Sequence, residues 1–161
     1  MTMQFEHEVH EETYRQVVEI LPDFFDDLYH DEDDGHVYVR YGSTVLELSV
    51  DPYGPEESVV TVMSYCVQGV EIEEELLERL LHLNHQLPFG AFSLVGNDVF
   101  ISHSLFGRTL DRSNLITSIS AVATLSDDYD ERIIERYGGQ TALECIQATG
   151  GRRRRTARQA V

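Results

Sequence analysis

Seven histidines, 29 acidic residues and two cysteines are the side chains of this 161-residue sequence that could hold a metal or move a proton. His82 and His85, three apart, would share one helix face, where two imidazoles can ligate zinc. The segment His82-Leu83-Asn84-His85 nevertheless lacks both the four-residue step and the Glu base of a zinc-hydrolase helix. A polar pair beside the negative pole of a helix is the expected role. His7, His10, His30 and His36 lie amid acids, and His103, between Ser102 and Ser104, has the residue type of a general base. On a strand it is expected to be a hydrogen-bonded, half-buried side chain. The run His30-Asp31-Glu32-Asp33-Asp34-Gly35 looks like a calcium loop until its glycine is set at position six. Tyr41 then falls at position twelve, where a bidentate Glu is needed, so a solvated loop is expected. Cys66 has no basic neighbour in sequence and reads as an inert core thiol. No glycine-rich phosphate loop and no nucleophile elbow occur. No catalytic residue, metal or cofactor is therefore expected. A metal-dependent or histidine-based hydrolase using His82, His85 or His103 is the alternative.

Charge narrows the partners. Twelve Arg and no Lys face 29 Asp plus Glu, a net charge of −17. Five of those arginines (Arg152 to Arg155 and Arg158) sit in the last ten positions, so residues 1–151 carry seven Arg against 29 acids, or −22. Such a body repels phosphate backbones and anionic membranes, and nucleic acid is expected to bind, if at all, only through the arginine tail. Apolar runs are far shorter than the roughly 20 residues a bilayer needs. The first eight residues have no basic segment followed by an apolar one, and two cysteines cannot build a disulfide scaffold, so the expected compartment is the cytoplasm.

The elements that must position these residues follow from periodicity. Glu11 to Leu28 has apolar residues at three- and four-residue steps, with a break expected near Leu21 because Pro22 lies inside. His36–Tyr41 and Thr44–Val50 alternate around Gly42-Ser43 and form a hairpin. Ser58–Val67 is a third strand, apolar on both faces: Val60, Val62 and Cys66 on one, Val59, Met63, Tyr65 and Val67 on the other. Glu71–Leu87 is a helix with Ile72, Leu76, Leu80, Leu83 and Leu87 on one stripe and Leu77 and Leu81 beside it. Ala91–Val95 and Asp98–Leu105 make a second hairpin around Gly96-Asn97. A long helix from Asp111 to Tyr137 stops at Gly138-Gly139, and a stub covers Thr141–Ala148. The expected fold is α+β: a five-stranded antiparallel sheet with helices mainly on one face, in the order αβββαββα. One domain over 1–149 and a disordered tail over 150–161 are expected.

Three segments, Val62 to Val70, Leu83 to Leu94 and His103 to Leu110, resemble the YbjN family, small bacterial proteins described as sensory transduction regulators with a fold similar to type III secretion chaperones. The Leu-Asn-His-x-Leu-Pro-Phe-Gly stretch is the most specific part, and the resemblance spans residues 10–145. It implies a non-enzymatic α+β domain, often dimeric, that binds extended peptides, and it carries no catalytic residues over. The element order read from periodicity agrees with it.

One layer of helices buries one sheet face, yet the third strand is apolar on both. The surplus face is expected to meet a protein or peptide client, or a second copy in a homodimer, through Val59, Met63 and Tyr65, with Phe92 and Phe106 as further contacts.

Overall fold

The structure, a computed structural model, describes residues 4–148. The expected disordered tail lies outside the described residues. Helix α1, Glu8–Ile20, starts where the His7 imidazole accepts the His10 N–H. It ends eight residues sooner than periodicity suggests. Pro22 has no N–H to continue the ladder, and Leu21–Asp23 tighten into one 3-10 turn. The chain then extends into β1, Leu28–His30, which pairs with β2, Val37–Tyr41. The sheet therefore has six strands, not five.

Gly42-Ser43 joins β2 to β3, Thr44–Pro52, with Gly42 at φ +58°, a conformation open to glycine. Next comes β4, Ser58–Val67, as expected. Helix α2, Glu74–Gln86, begins later than expected. The Val70 and Glu71 N–H groups donate to the carbonyls of Asn97 and Tyr137, which holds them extended and leaves Ile72 exposed ahead of the helix. Strands β5, Ala91–Val95, and β6, Asp98–Phe106, form the second hairpin. An Asp111–Asn114 capping box opens α3, Arg112–Tyr137, and α4, Ala142–Ala148, follows.

All neighbouring strands are antiparallel, in the order β1-β2-β3-β4-β6-β5. The expected three-stranded meander and second hairpin share this one sheet. Helices α1, α2 and α3 cover one face. Leu46, Leu48, Val60, Val62 and Ile101 from the sheet meet Val17, Leu21, Leu76, Leu115, Ile119 and Val122 in a continuous core. Gly107 is where α1 closes on β4. A Cβ there would lie 1.9 Å from Ser58 Oγ and 2.5 Å from Thr13 Oγ1.

Helix α4 departs from that layer. It packs on β3 and β4, and its Ala142, with Phe100 of β6, is buried outside the main core. Strand alternation puts Phe100 on the face opposite Val99 and Ile101, so α4 lies on the face the other helices leave open.

Candidate functional site: the open sheet face

On β4 the period of two divides the roles. Ser58, Val60, Val62, Ser64 and Cys66 are buried under the helices, while Val59, Thr61, Met63 and Tyr65 are half-buried on the other side. Register sets their neighbours. Val59 lies opposite Phe106 and Tyr65 opposite Phe100 on β6, while Asp51, Ser49 and Glu47 of β3 face Val59, Thr61 and Met63. The Tyr65 and Phe100 rings meet at 5.1 Å, edge to face. The Tyr65 hydroxyl donates to Glu47 Oε2 at 2.6 Å, and Glu47 Oε1 is 3.0 Å from His36 Nδ1, itself 3.6 Å from Asp34. This chain ties the acidic loop to the sheet. The loop folds on itself, with Asp31 Oδ1 accepting the Asp33 N–H and Asp34 Oδ1 the His36 N–H. Along β4 and β6 the face is thus mixed, with Val59, Met63, Tyr65, Phe100 and Phe106 interrupted by the hydroxyls of Thr61, Ser102 and Ser104, and along β1 to β3 it is acidic and aromatic, where Tyr29 and Tyr38 also lie, their rings 6.1 Å apart.

Of the five residues expected at a partner surface, the structure brings four together. Val59, Met63 and Tyr65 line one strand, and Phe106, 59% exposed, stands across from Val59. Phe92 is elsewhere. It is 5% exposed on the helix side, its ring 5.4 Å from Tyr129. The parity of β5 carried that signal, since Phe92 and Leu94 alternate with Ala91 and Ser93. Val67, expected on the open face, turns into the core because a register shift between Tyr65 and Val67 puts Cys66 and Val67 on the same side.

The two sheet edges offer little to an added strand. Edge strand β1 has three residues. On edge strand β5 the Asn84 side chain takes both backbone groups of Phe92, accepting its N–H at 2.7 Å and donating to its carbonyl at 3.0 Å. A polar side chain that occupies an edge residue's donor and acceptor blocks strand addition there. The sequence showed Asn84 only as part of a motif, and its partner is eight residues away on another element.

The histidines are dispersed. His82 and His85 are exposed on α2, and His103 Nδ1 lies 2.7 Å from Ser118 Oγ with the Phe89 ring 5.7 Å away. Among the described residues no three His, Cys, Asp or Glu side chains group as metal ligands. Burial pushes the Cys66 thiol up to about 12, which keeps it protonated and unreactive. Among the described residues no helix is long and apolar enough to cross a membrane. Sequence reasoning missed a shallow groove of about 480 Å³ between Phe89 and the outer side of α3, floored by Ile116 and Leu125. Leu81, expected beside the apolar stripe of α2, is 69% exposed.

Comparison with known proteins supplies the family. No curated protein matches the sequence. Seven solved chains match in fold. One belongs to the ExsC–ExsE complex, superposing with a TM-score of 0.59 at 12% identity over 79% of this chain and 97% of that one. At that identity the likeness concerns the fold. A family model, TY-Chap1, described as T3SS (YopN, CesT) and YbjN peptide-binding chaperone 1, matches residues 11–145. That span contains both hairpins, the Asn84 edge lock and the open face, and the chain belongs to this family of peptide-binding chaperones.

Proposed function

We propose that the chain is a non-enzymatic binding module, chaperone-like or regulatory, that receives an extended protein segment on its open sheet face in the cytoplasm. The observation that carries this reading is the strip of Val59, Met63, Tyr65 and Phe106, four apolar side chains on neighbouring strands that the α1–α3 layer leaves uncovered. Fully burying an apolar side chain yields about 1.5–3 kcal/mol. Three half-buried ones and the exposed Phe106 supply a few kcal/mol toward association, so preorganisation by the sheet matters. With one edge strand of three residues and the other capped at Phe92, the segment lies across the face rather than joining as a strand. The acidic half beside the strip favours basic residues in the client and makes association salt-sensitive. The same strip also fits a second copy in a two-fold homodimer.

The test is selection of short peptides from a displayed library on immobilised full-length protein, then titration of the selected peptide by fluorescence anisotropy. Peptides mixing apolar and basic residues are expected, with binding weakened at least about tenfold by Met63→Glu. Undiminished binding to a Met63→Glu protein of normal melting temperature would remove the open face from the reading.

A further inference from the structure

We propose that the arginine-rich segment of this same chain, Arg152 to Arg158, occupies the acidic and aromatic half of the open sheet face, in place of the free tail expected from composition. Three observations converge. Helix α4 lies on this face, on β3 and β4, and ends at Ala148, so the remaining 13 residues of the sequence start there. The neighbouring half of the face and its rim carry Asp31, Glu32, Asp33, Asp34 and Asp51, beside a buried Glu47 held by Tyr65 and His36, with Arg40 the one arginine among the described residues of β1 to β3. Tyr29 and Tyr38 present rings on that side, and guanidinium groups stack on such rings as well as pairing with carboxylates.

The reach suffices. Arg152 is four residues beyond Ala148 and Arg155 seven, which at about 3.3–3.6 Å each allows roughly 13–25 Å of extended chain. The distance from β3 to β1 is two strand spacings, about 10 Å. Gly150-Gly151 lets the chain turn onto the sheet. Tethering gives the segment an effective concentration in the millimolar range, well above that of a free basic peptide. A basic client must then displace it, so the segment acts as a built-in competitor on the acidic half while the strip along β4 and β6 stays available. Occupancy of the face by this segment does not depend on the client reading.

Trypsin cleaves after arginine, so the segment reports its own docking. Full-length protein is digested briefly at low and high salt, and cleavage after Arg152–Arg155 is timed by mass spectrometry against a synthetic peptide of residues 149–161. Docking predicts cleavage at least about tenfold slower than in the peptide at low salt, with the protection lost near 1 M salt, where charge pairs are screened. Glu47→Gln with Asp51→Asn should remove the protection at low salt. Because that pair could disturb the sheet, Asp33→Asn with Asp34→Asn on the exposed loop serves as a second variant expected to weaken it. Cleavage as fast as in the free peptide at every ionic strength would overturn the proposal. Protection that appears only as protein concentration rises would overturn it too, because the occupant would then be another copy's segment.

Discussion

The two faces of this one sheet are made of the same strands and differ in nearly everything else. Beneath α1 and α3, β3 and β4 present Leu46, Leu48, Val60 and Val62, all essentially inaccessible. At the end nearest α3 the closed face becomes polar without becoming wet. The Thr44 and Ser64 hydroxyls are 2.6 Å apart, and Ser64 donates to Ser126 at 2.7 Å. A satisfied buried hydroxyl cluster of this kind sets the register of helix against sheet, because a slip would orphan every member. The open face holds larger, half-covered side chains and carboxylates, and α4 covers only part of it. A period of two in β4 thus separates a buried parity from a half-buried one.

The sharpest way to break this contrast is to truncate a residue on each side of β3 and β4. Leu46→Ala on the closed face should cost about 2–5 kcal/mol, because the core cannot collapse into the cavity. Met63→Ala, whose side chain is half-buried, should cost well under that. Chemical denaturation of both variants checks the pair, and equal costs would mean that the open face is core as well.

Much of this division could be read from residue order alone. The hairpins at Gly42-Ser43 and Gly96-Asn97 and the ten residues of β4 announce themselves through turn glycines and strict alternation. What could not be read has physical causes. Strand β1 has three residues, too few to display a period, and Phe24, Phe25 and Leu28 continue helical spacing past Pro22, which hides the strand behind a helical pattern. Helix α4 has one amphipathic stub's worth of pattern, which says that it packs but not on which face. In α2, five leucines cannot all reach one sheet, and only Leu76 and Leu80 are fully buried. The half-buried row on β4 is legible from parity, whereas Phe92 needs the parity of β5 to be weighed against its aromatic size.

The edge lock offers the next largest effect. Asn84→Ala leaves the Phe92 N–H and carbonyl without their partners, a loss of about 1–3 kcal/mol if they stay buried. It also opens a strand edge to pairing, so the variant should form assemblies larger than the parent's. Sedimentation velocity beside a thermal melt reads both. A variant as stable and as monodisperse as the parent would show that water replaces the amide without consequence.

A smaller, pH-dependent effect comes from Asp130, 2% exposed on α3. Burial raises its carboxyl above the usual carboxylate range, opposed by the Glu131 N–H and the Ser43 hydroxyl that it accepts. A raised value in the folded state means that folding favours the protonated form. Its stabilisation is complete below the unfolded value, near 3.9, and is lost as pH rises through the folded one. Asp130→Asn should therefore be more stable than the parent at neutral pH and converge with it in acid. Melting temperatures from pH 3.5 to 8 check this, and parallel curves would assign the pH response to other groups.

The smallest effect on stability should accompany the largest effect on assembly. Phe106 is 59% exposed at the end of β6, so Phe106→Ser should change stability by no more than about 0.5 kcal/mol. In the proposed homodimer the same ring would be buried against the partner's strip, and its removal should shift light scattering toward monomer. Salt separates this association from the docking of the arginine segment. Repulsion between two acidic bodies opposes a dimer, so raising ionic strength should tighten it, whereas the segment's charge pairs should loosen. Scattering across a salt series for the parent and Phe106→Ser tests the point. A parent that stays monomeric at every concentration and ionic strength would leave the strip to a client alone, and a dimer indifferent to Phe106→Ser would move the interface elsewhere, with Leu81 and the groove beside Phe89 as the next surface to mutate.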